Sequence, residues 1–171
     1  MITALTAPEM ETHLDALAAV LHATVLDGAS VGFILPHDLS EARAFWQALL
    51  PEVAAGDRQI FVALEEGELA GVVTLITGMP RNQPHRGEVS KLLVHPNHRR
   101  KGLARQLMTT LEAAAREHGK TLLTLDTRTG DTAEPLYRAL GFEVAGVIPG
   151  YCLSVDGTRH DSTTYMYKPL L

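Results

Sequence analysis

The chain has 171 residues, a net charge of −5 and a mean hydropathy of +0.03. That is enough chain for one domain, spanning 1–171, to bury its own core without disulfides or metal staples, and the composition excludes a disordered polymer. The acidic balance argues against general affinity for nucleic acid or an anionic membrane, and the single cysteine, Cys152, excludes an internal disulfide.

In chain order, "MITAL" reads as a short strand. "TAPEMETHLDALAAVLHATVLDG" reads as one helix, opened by Thr6 and Glu9 at capping-box spacing and striped by Leu14, Leu17, Leu21 and Val25, with Gly28 stopping it. The loop "GASVGFILPHD" leads to a second helix, "SEARAFWQALLPEV". Two β-branched apolar runs separated by Glu65-Glu66-Gly67-Glu68 predict an antiparallel hairpin. After the polar loop "MPRNQPHRG", "EVSKLLV" predicts a strand whose last residues are covered on both faces. "GLARQLMTTLEAAAREHG" is the clearest helix, lined by Leu103, Leu107, Leu111 and Ala114. "TLLTLD" follows as a strand, "TAEPLYRALG" as a short helix with Pro135 in its first turn, and "FEVAGVIPGY" and "STTYMYKPL" as closing strands.

The order is β-α-α-β-β-β-α-β-α-β-β. A βαβ unit in its middle requires two parallel neighbours joined by a right-handed crossover, whereas the outer strands read as antiparallel. The expected fold is therefore α/β (α+β): a mixed, mostly antiparallel central sheet with helices on both faces. Nothing resembles a signal peptide or a membrane span, so the expected location is cytoplasmic.

The strand-to-helix turn "VHPNHRRKGLA" gathers Arg99, Arg100 and Lys101 just before Gly102. Amides at a helix start lack intrahelical acceptors and sit at the positive end of the macrodipole, so this position suits a phosphate. Gly102 lets the backbone approach a ligand closely, and Ala104 is nearly as small. A solvated basic turn is the competing reading. No Gly-Lys-Ser/Thr P-loop and no three-glycine dinucleotide fingerprint is present.

"VHPNHRRKGLARQLM" resembles motif A of the GNAT N-acetyltransferase superfamily, Arg/Gln-x-x-Gly-x-Gly/Ala, matching at Arg99, Gly102 and Ala104. "KLLV" resembles that superfamily's bulged fourth strand, and "PLYRALGF" resembles its motif B. "GASVGF", "EVSKLLV", "LLTLDT" and "PGYCLSVDG" further resemble the tabtoxin-resistance acetyltransferase branch. The resemblance implies an enzyme that binds acetyl-CoA between splayed fourth and fifth strands. Amides of Arg99, Arg100, Lys101, Gly102, Leu103 and Ala104 would hold the pyrophosphate, and the main chain of Leu92, Leu93 and Val94 would pair with the pantetheine. An amide in Leu93-Val94 would polarise the thioester carbonyl.

The same resemblance makes Tyr137 the general acid towards the departing thiolate, and Glu88 or Asp126 the base that deprotonates the acceptor amine. With Glu88 starting one strand and Asp126 ending its parallel neighbour, the two are expected roughly 20 Å apart by strand rise. Many relatives carry an asparagine seven residues before the tyrosine, where this chain has Gly130. "GASVGF" and "PGYCLSVDGTRH" flank the place where relatives bind acceptor, which makes Ser30, Tyr151 and Asp156 candidate substrate contacts, with a surface turn as the competing reading of each. His95 and His98 form the only close histidine pair, without a third ligand at zinc-like spacing, so no metal is expected. Cys152 reads as a filler rather than a nucleophile. The implied activity is acetyl transfer to a primary amine of an amino-acid-like or antibiotic-like small molecule. The alternatives are a protein or peptide acetyltransferase and an acyl-CoA sensor without turnover. Monomer and homodimer both remain open.

Overall fold

A computed structural model describes residues 1–171. Seven strands form a single sheet in the order β1-β2-β3-β4-β5-β7-β6: β1 Ile2–Leu5, β2 Arg58–Glu65, β3 Glu68–Ile76, β4 Arg86–Val94, β5 Leu122–Arg128, β6 Glu143–Leu153 and β7 His160–Pro169. Every adjacent pair is antiparallel except β4 with β5. The last strand inserts between β5 and β6, which leaves β6 as an edge.

Four helices, α1 Ala7–Thr12, α2 Leu14–Leu26, α3 Leu39–Ala48 and α4 Leu50–Ala55, build one buried cluster with β2, β3 and Leu93. On the opposite face α5 Leu103–Glu117 and α6 Ala133–Ala139 pack against β2 to β5 and β7. Each predicted helix before β2 is divided in two. His13 and Leu49 each serve as both the C-cap of one helix and the N-cap of the next. At the second break Pro51 is the cause: its nitrogen carries no hydrogen, and its ring clashes with the preceding turn. The break turns α4 away and lets its first turn begin afresh.

Trp46 fills the space between α3 and α2. It is fully buried, and its indole N–H donates to the Leu17 carbonyl at 3.0 Å. Trp46→Ala leaves a cavity and removes the indole bond to α2. It is expected to cost about 3–5 kcal/mol, read as a lower urea midpoint at unchanged slope. No helix is long and apolar enough to cross a membrane.

Candidate active site

The site begins with a defect in β4. Up to Val89 the strand pairs with β3 in simple register, but Val72 faces Leu93 and Thr74 faces Ser90, so β4 spends one residue more than β3. The extra residue is Lys91, held at φ 53. A bulge of this kind bends the strand and disrupts its ladder. Across from it the parallel pairing of β4 with β5 covers only Arg86, Gly87 and Glu88 against Leu122, Leu123 and Thr124, after which the ladder ends. The strands part into a cleft of about 810 Å³ lined by residues 88–94 of β4, Asp126–Arg128 of β5 and the start of α5.

At the wide end of the cleft lies the basic turn. Arg100 at φ 63 and Gly102 at φ 77 both take left-handed conformations, and Gly102 caps α5 without a side chain to bond its amides. From Arg99 to Arg105 no backbone N–H donates to a protein acceptor; the ladder of α5 starts with Gln106 N–H on the Gly102 carbonyl. These free donors at the positive end of a fifteen-residue helix form a ready anion cradle. The side chains contribute unequally. Arg99 pairs with Asp27, whereas the Lys101 ammonium is turned onto Glu65 at 2.8 Å and lies outside the cleft lining. Lys101 and His98 both bond Glu65, and those bonds hold its carboxyl below the usual range. The turn is thereby tied to the β2–β3 hairpin.

Tyr137 projects from α6 into the cleft, 7% exposed, its ring set edge-on against Phe142. Burial first, then the Asp131 and Asp126 carboxylates, push its phenol well above the ordinary value. Its hydroxyl bonds no protein group.

The two carboxylates are not at opposite ends of the cleft. β4 begins at Arg86, two residues before the predicted start, and Glu88 sits opposite Thr124. Asp126 is thus two residues along β5 from Glu88's partner, about 8 Å away by strand rise and spacing rather than 20 Å. Both line the cleft. Glu88 accepts from Arg86 at 3.0 Å, and Asp126 accepts from the Thr163 hydroxyl at 3.0 Å.

Loop 28–38 and the β6–β7 hairpin wall this end. Leu35 N–H donates to the Val155 carbonyl, Ser30 Oγ lies 3.8 Å from Cys152 Sγ, and Arg128 donates to the Gly28 carbonyl. Ser30 and Tyr151 line the cleft, but Asp156 does not: its carboxylate accepts from Ser154 and Thr158 within its own turn, which depresses it strongly. Among residues that the sequence did not single out, Lys91, Arg128 and Thr163 line the cleft, and Tyr165 bonds the Tyr151 hydroxyl at 2.8 Å. That bond, then burial, then Asp126, Tyr151 and Glu88 push the Tyr165 phenol up to about 12. Tyr165 therefore feels both carboxylates.

A profile of the Acetyltransferase (GNAT) family matches residues 21–142. The chain belongs to the GNAT acetyltransferase family. An uncharacterized N-acetyltransferase of the hisH–hisA intergenic region of Azospirillum brasilense is 29% identical over 110 residues, 63% of this chain and 64% of that one. The match thus spans less than two thirds of that relative. A ribosomal-protein-alanine N-acetyltransferase from Brucella melitensis superposes with a TM-score of 0.79 at 25% identity, covering 99% of each chain. A GNAT superfamily phosphinothricin acetyltransferase from Sinorhizobium meliloti, solved in complex with acetyl-CoA, gives 0.78 at 21% identity, covering 99% of this chain and 87% of that one. At the latter identity the likeness carries the fold alone.

Proposed function

We propose that this GNAT acetyltransferase moves acetyl from acetyl-CoA to a primary amine of a small molecule, amino-acid-like or antibiotic-like, in the cytoplasm. The observation that carries the reading is the convergence in one cleft of unbonded helix-start amides, a protonated phenol and two carboxylates. The cradle fits a pyrophosphate, because its donors are backbone groups with no competing partner. The edge of β4 left free past Glu88 fits an extended pantetheine, which needs backbone donors and acceptors in a row. Bound there, acetyl-CoA supplies the acetyl group as a thioester.

Asp126 or Glu88, directly or through water, takes the proton of the acceptor ammonium. An amide of Leu93-Val94 donates to the carbonyl oxygen as it gains charge, and Tyr137 donates to the sulfur as the C–S bond breaks. The wall formed by loop 28–38 and the β6–β7 hairpin supports a small acceptor over a protein segment, since a peptide would need a groove open at both ends. Release of free thiol from acetyl-CoA in the presence of a panel of small amines tests the reading; no release with any of them, or release only with peptides, would overturn it.

Gly102→Val probes the cradle separately. A Cβ at Gly102 meets only the end of Gln106, 3.9 Å away, so the strain is in the backbone at φ 77. Stability is expected to fall by about 1–2 kcal/mol. Affinity for acetyl-CoA is expected to fall about tenfold or more, as lost amide-to-phosphate bonds imply. Calorimetric titration with acetyl-CoA checks the second effect; unchanged affinity would remove the turn from the cofactor site.

A further inference from the structure

The chain has four lysines, and three spend their ammonium on protein acceptors. Lys101 donates to Glu65, Lys120 to the Thr77 and Pro84 carbonyls, and Lys168 to Glu112. Lys91 makes no hydrogen bond and no ion pair, although it is partly buried in the wall of the cleft. It is also the bulge residue of β4, kept at a φ of 53 where a bulky side chain is strained. The slip it introduces is visible in the packing. Val89 before it and Leu92 and Val94 after it all face the α5 cluster, whereas the Lys91 ammonium lies 5.2 Å from the centre of the Phe45 ring on the α3 side. Phe45 gives the cation a π face but no hydrogen-bond acceptor.

The surroundings of this ammonium are unbalanced. Burial, with the Arg58 guanidinium second, pushes its pKa down, while Asp126 pulls it up without coming within ion-pair distance. Arg58, the cation that acts on it, is itself bonded to Glu52, whereas Lys91 has no ion-pair partner. A partly desolvated charge without a partner is costly unless something else supplies the anion. Arg100 and Arg105 at the cradle end of the cleft are also without an ion-pair partner, but Lys91 is the unmatched cation that feels Asp126, one of the carboxylates that are to receive the proton of an amine.

We propose that Lys91 anchors a carboxylate of the acceptor, so that the preferred substrates are amines that also carry a carboxylate, as α-amino acids do. This rests on the acetyl-transfer reading above and narrows which amines that reading admits. The ammonium of such a zwitterion faces Asp126 and Glu88, and its carboxylate faces Lys91. A site built to bond a charged group discriminates strongly against an analogue that lacks it, because the buried partner is then left unpaired.

The test measures kcat and KM for L-α-amino acids, each beside its carboxamide and the corresponding simple alkylamine. The wild type is expected to favour acid over amide by about 10- to 100-fold in kcat/KM, the worth of one charge-assisted hydrogen bond. Lys91→Met is expected to bring that ratio close to one by raising KM for the acids, with the amides and the KM for acetyl-CoA unchanged. Lys91→Gly relieves the backbone and removes the ammonium, so it should show the same lost preference with a fold at least as stable. Lys91→Arg should restore part of the ratio. A wild-type ratio near one, or a ratio that survives in Lys91→Met and Lys91→Gly, overturns the anchor while leaving acetyl transfer intact. An equal fall in kcat for acids and amides overturns it too, because it would make Lys91 a participant in the chemistry. Absence of turnover with every amine would end the acetyl-transfer reading and the anchor with it.

Discussion

Tyr137→Phe is expected to lower kcat by about 100-fold or more, the usual worth of a positioned proton donor, with the KM for acetyl-CoA nearly unchanged. The substitution is clean because of what the hydroxyl does not do. It bonds no protein group, and the ring keeps its edge-on contact with Phe142 and its place in the α5 cluster. Deleting a hydroxyl that bonds no protein group is close to neutral for folding, so lost activity would not report lost structure. Burial and the nearby Asp131 and Asp126 raise the phenol's pKa, which keeps the proton on the oxygen at every working pH. Any alkaline fall in rate from its ionisation is therefore placed above the ordinary tyrosine value of about 10. In the proposed mechanism the phenol, kept protonated, donates a hydrogen bond to the developing thiolate, and full proton transfer follows only as the product leaves. A rapid-quench measurement of a single turnover checks the effect on the chemical step. An unchanged rate there would remove Tyr137 from the mechanism, whatever kcat does when release limits it.

The order of elements was readable because hydrophobic period and turn residues are local. The Thr6–Glu9 capping box forms, with each side chain bonding the other's backbone N–H. A second one, Asp38 with Glu41, lies in a stretch that reads as loop and helix start without announcing itself. The family resemblance placed the bulge and the helix-start turn correctly along the chain. What could not be read is direction and register. The parallel register of β4 and β5 is set by packing between segments more than thirty residues apart, and it brings Glu88 and Asp126 together. Lys101 looks like part of a cation cluster in sequence, yet Glu65 claims it from 36 residues away. Asp156 reads as a substrate contact and folds back on its own turn. Nothing in "EVSKLLV" says which residue the bulge expels, so the sequence alone does not distinguish Lys91 from its neighbours.

Asp126→Asn is expected to lower kcat/KM by about 100-fold or more, and Glu88→Gln by about tenfold, if proton transfer at a positioned carboxylate limits the rate. The difference comes from what each carboxylate is already holding. Glu88 has an oxygen committed to the Arg86 guanidinium, which also bonds Thr124 and so fixes the pair on the floor of the sheet. Asp126 holds only the Thr163 hydroxyl, is more exposed and lies among the groups that raise the Tyr137 phenol, so in the proposed mechanism it is the carboxylate nearer the general acid. Asparagine keeps an oxygen for Thr163, and the fold should tolerate the change. The acid limb of the pH profile of kcat/KM, where a base is lost by protonation, should disappear in Asp126→Asn and persist in Glu88→Gln. The double variant separates a direct base from a relay. If both carboxylates act on one proton through a shared water, the double variant is no slower than Asp126→Asn alone; if they act independently, the losses multiply. A larger loss in Glu88→Gln, together with loss of its acid limb, would transfer the role to Glu88 and leave Asp126 as the group that positions the acceptor's ammonium.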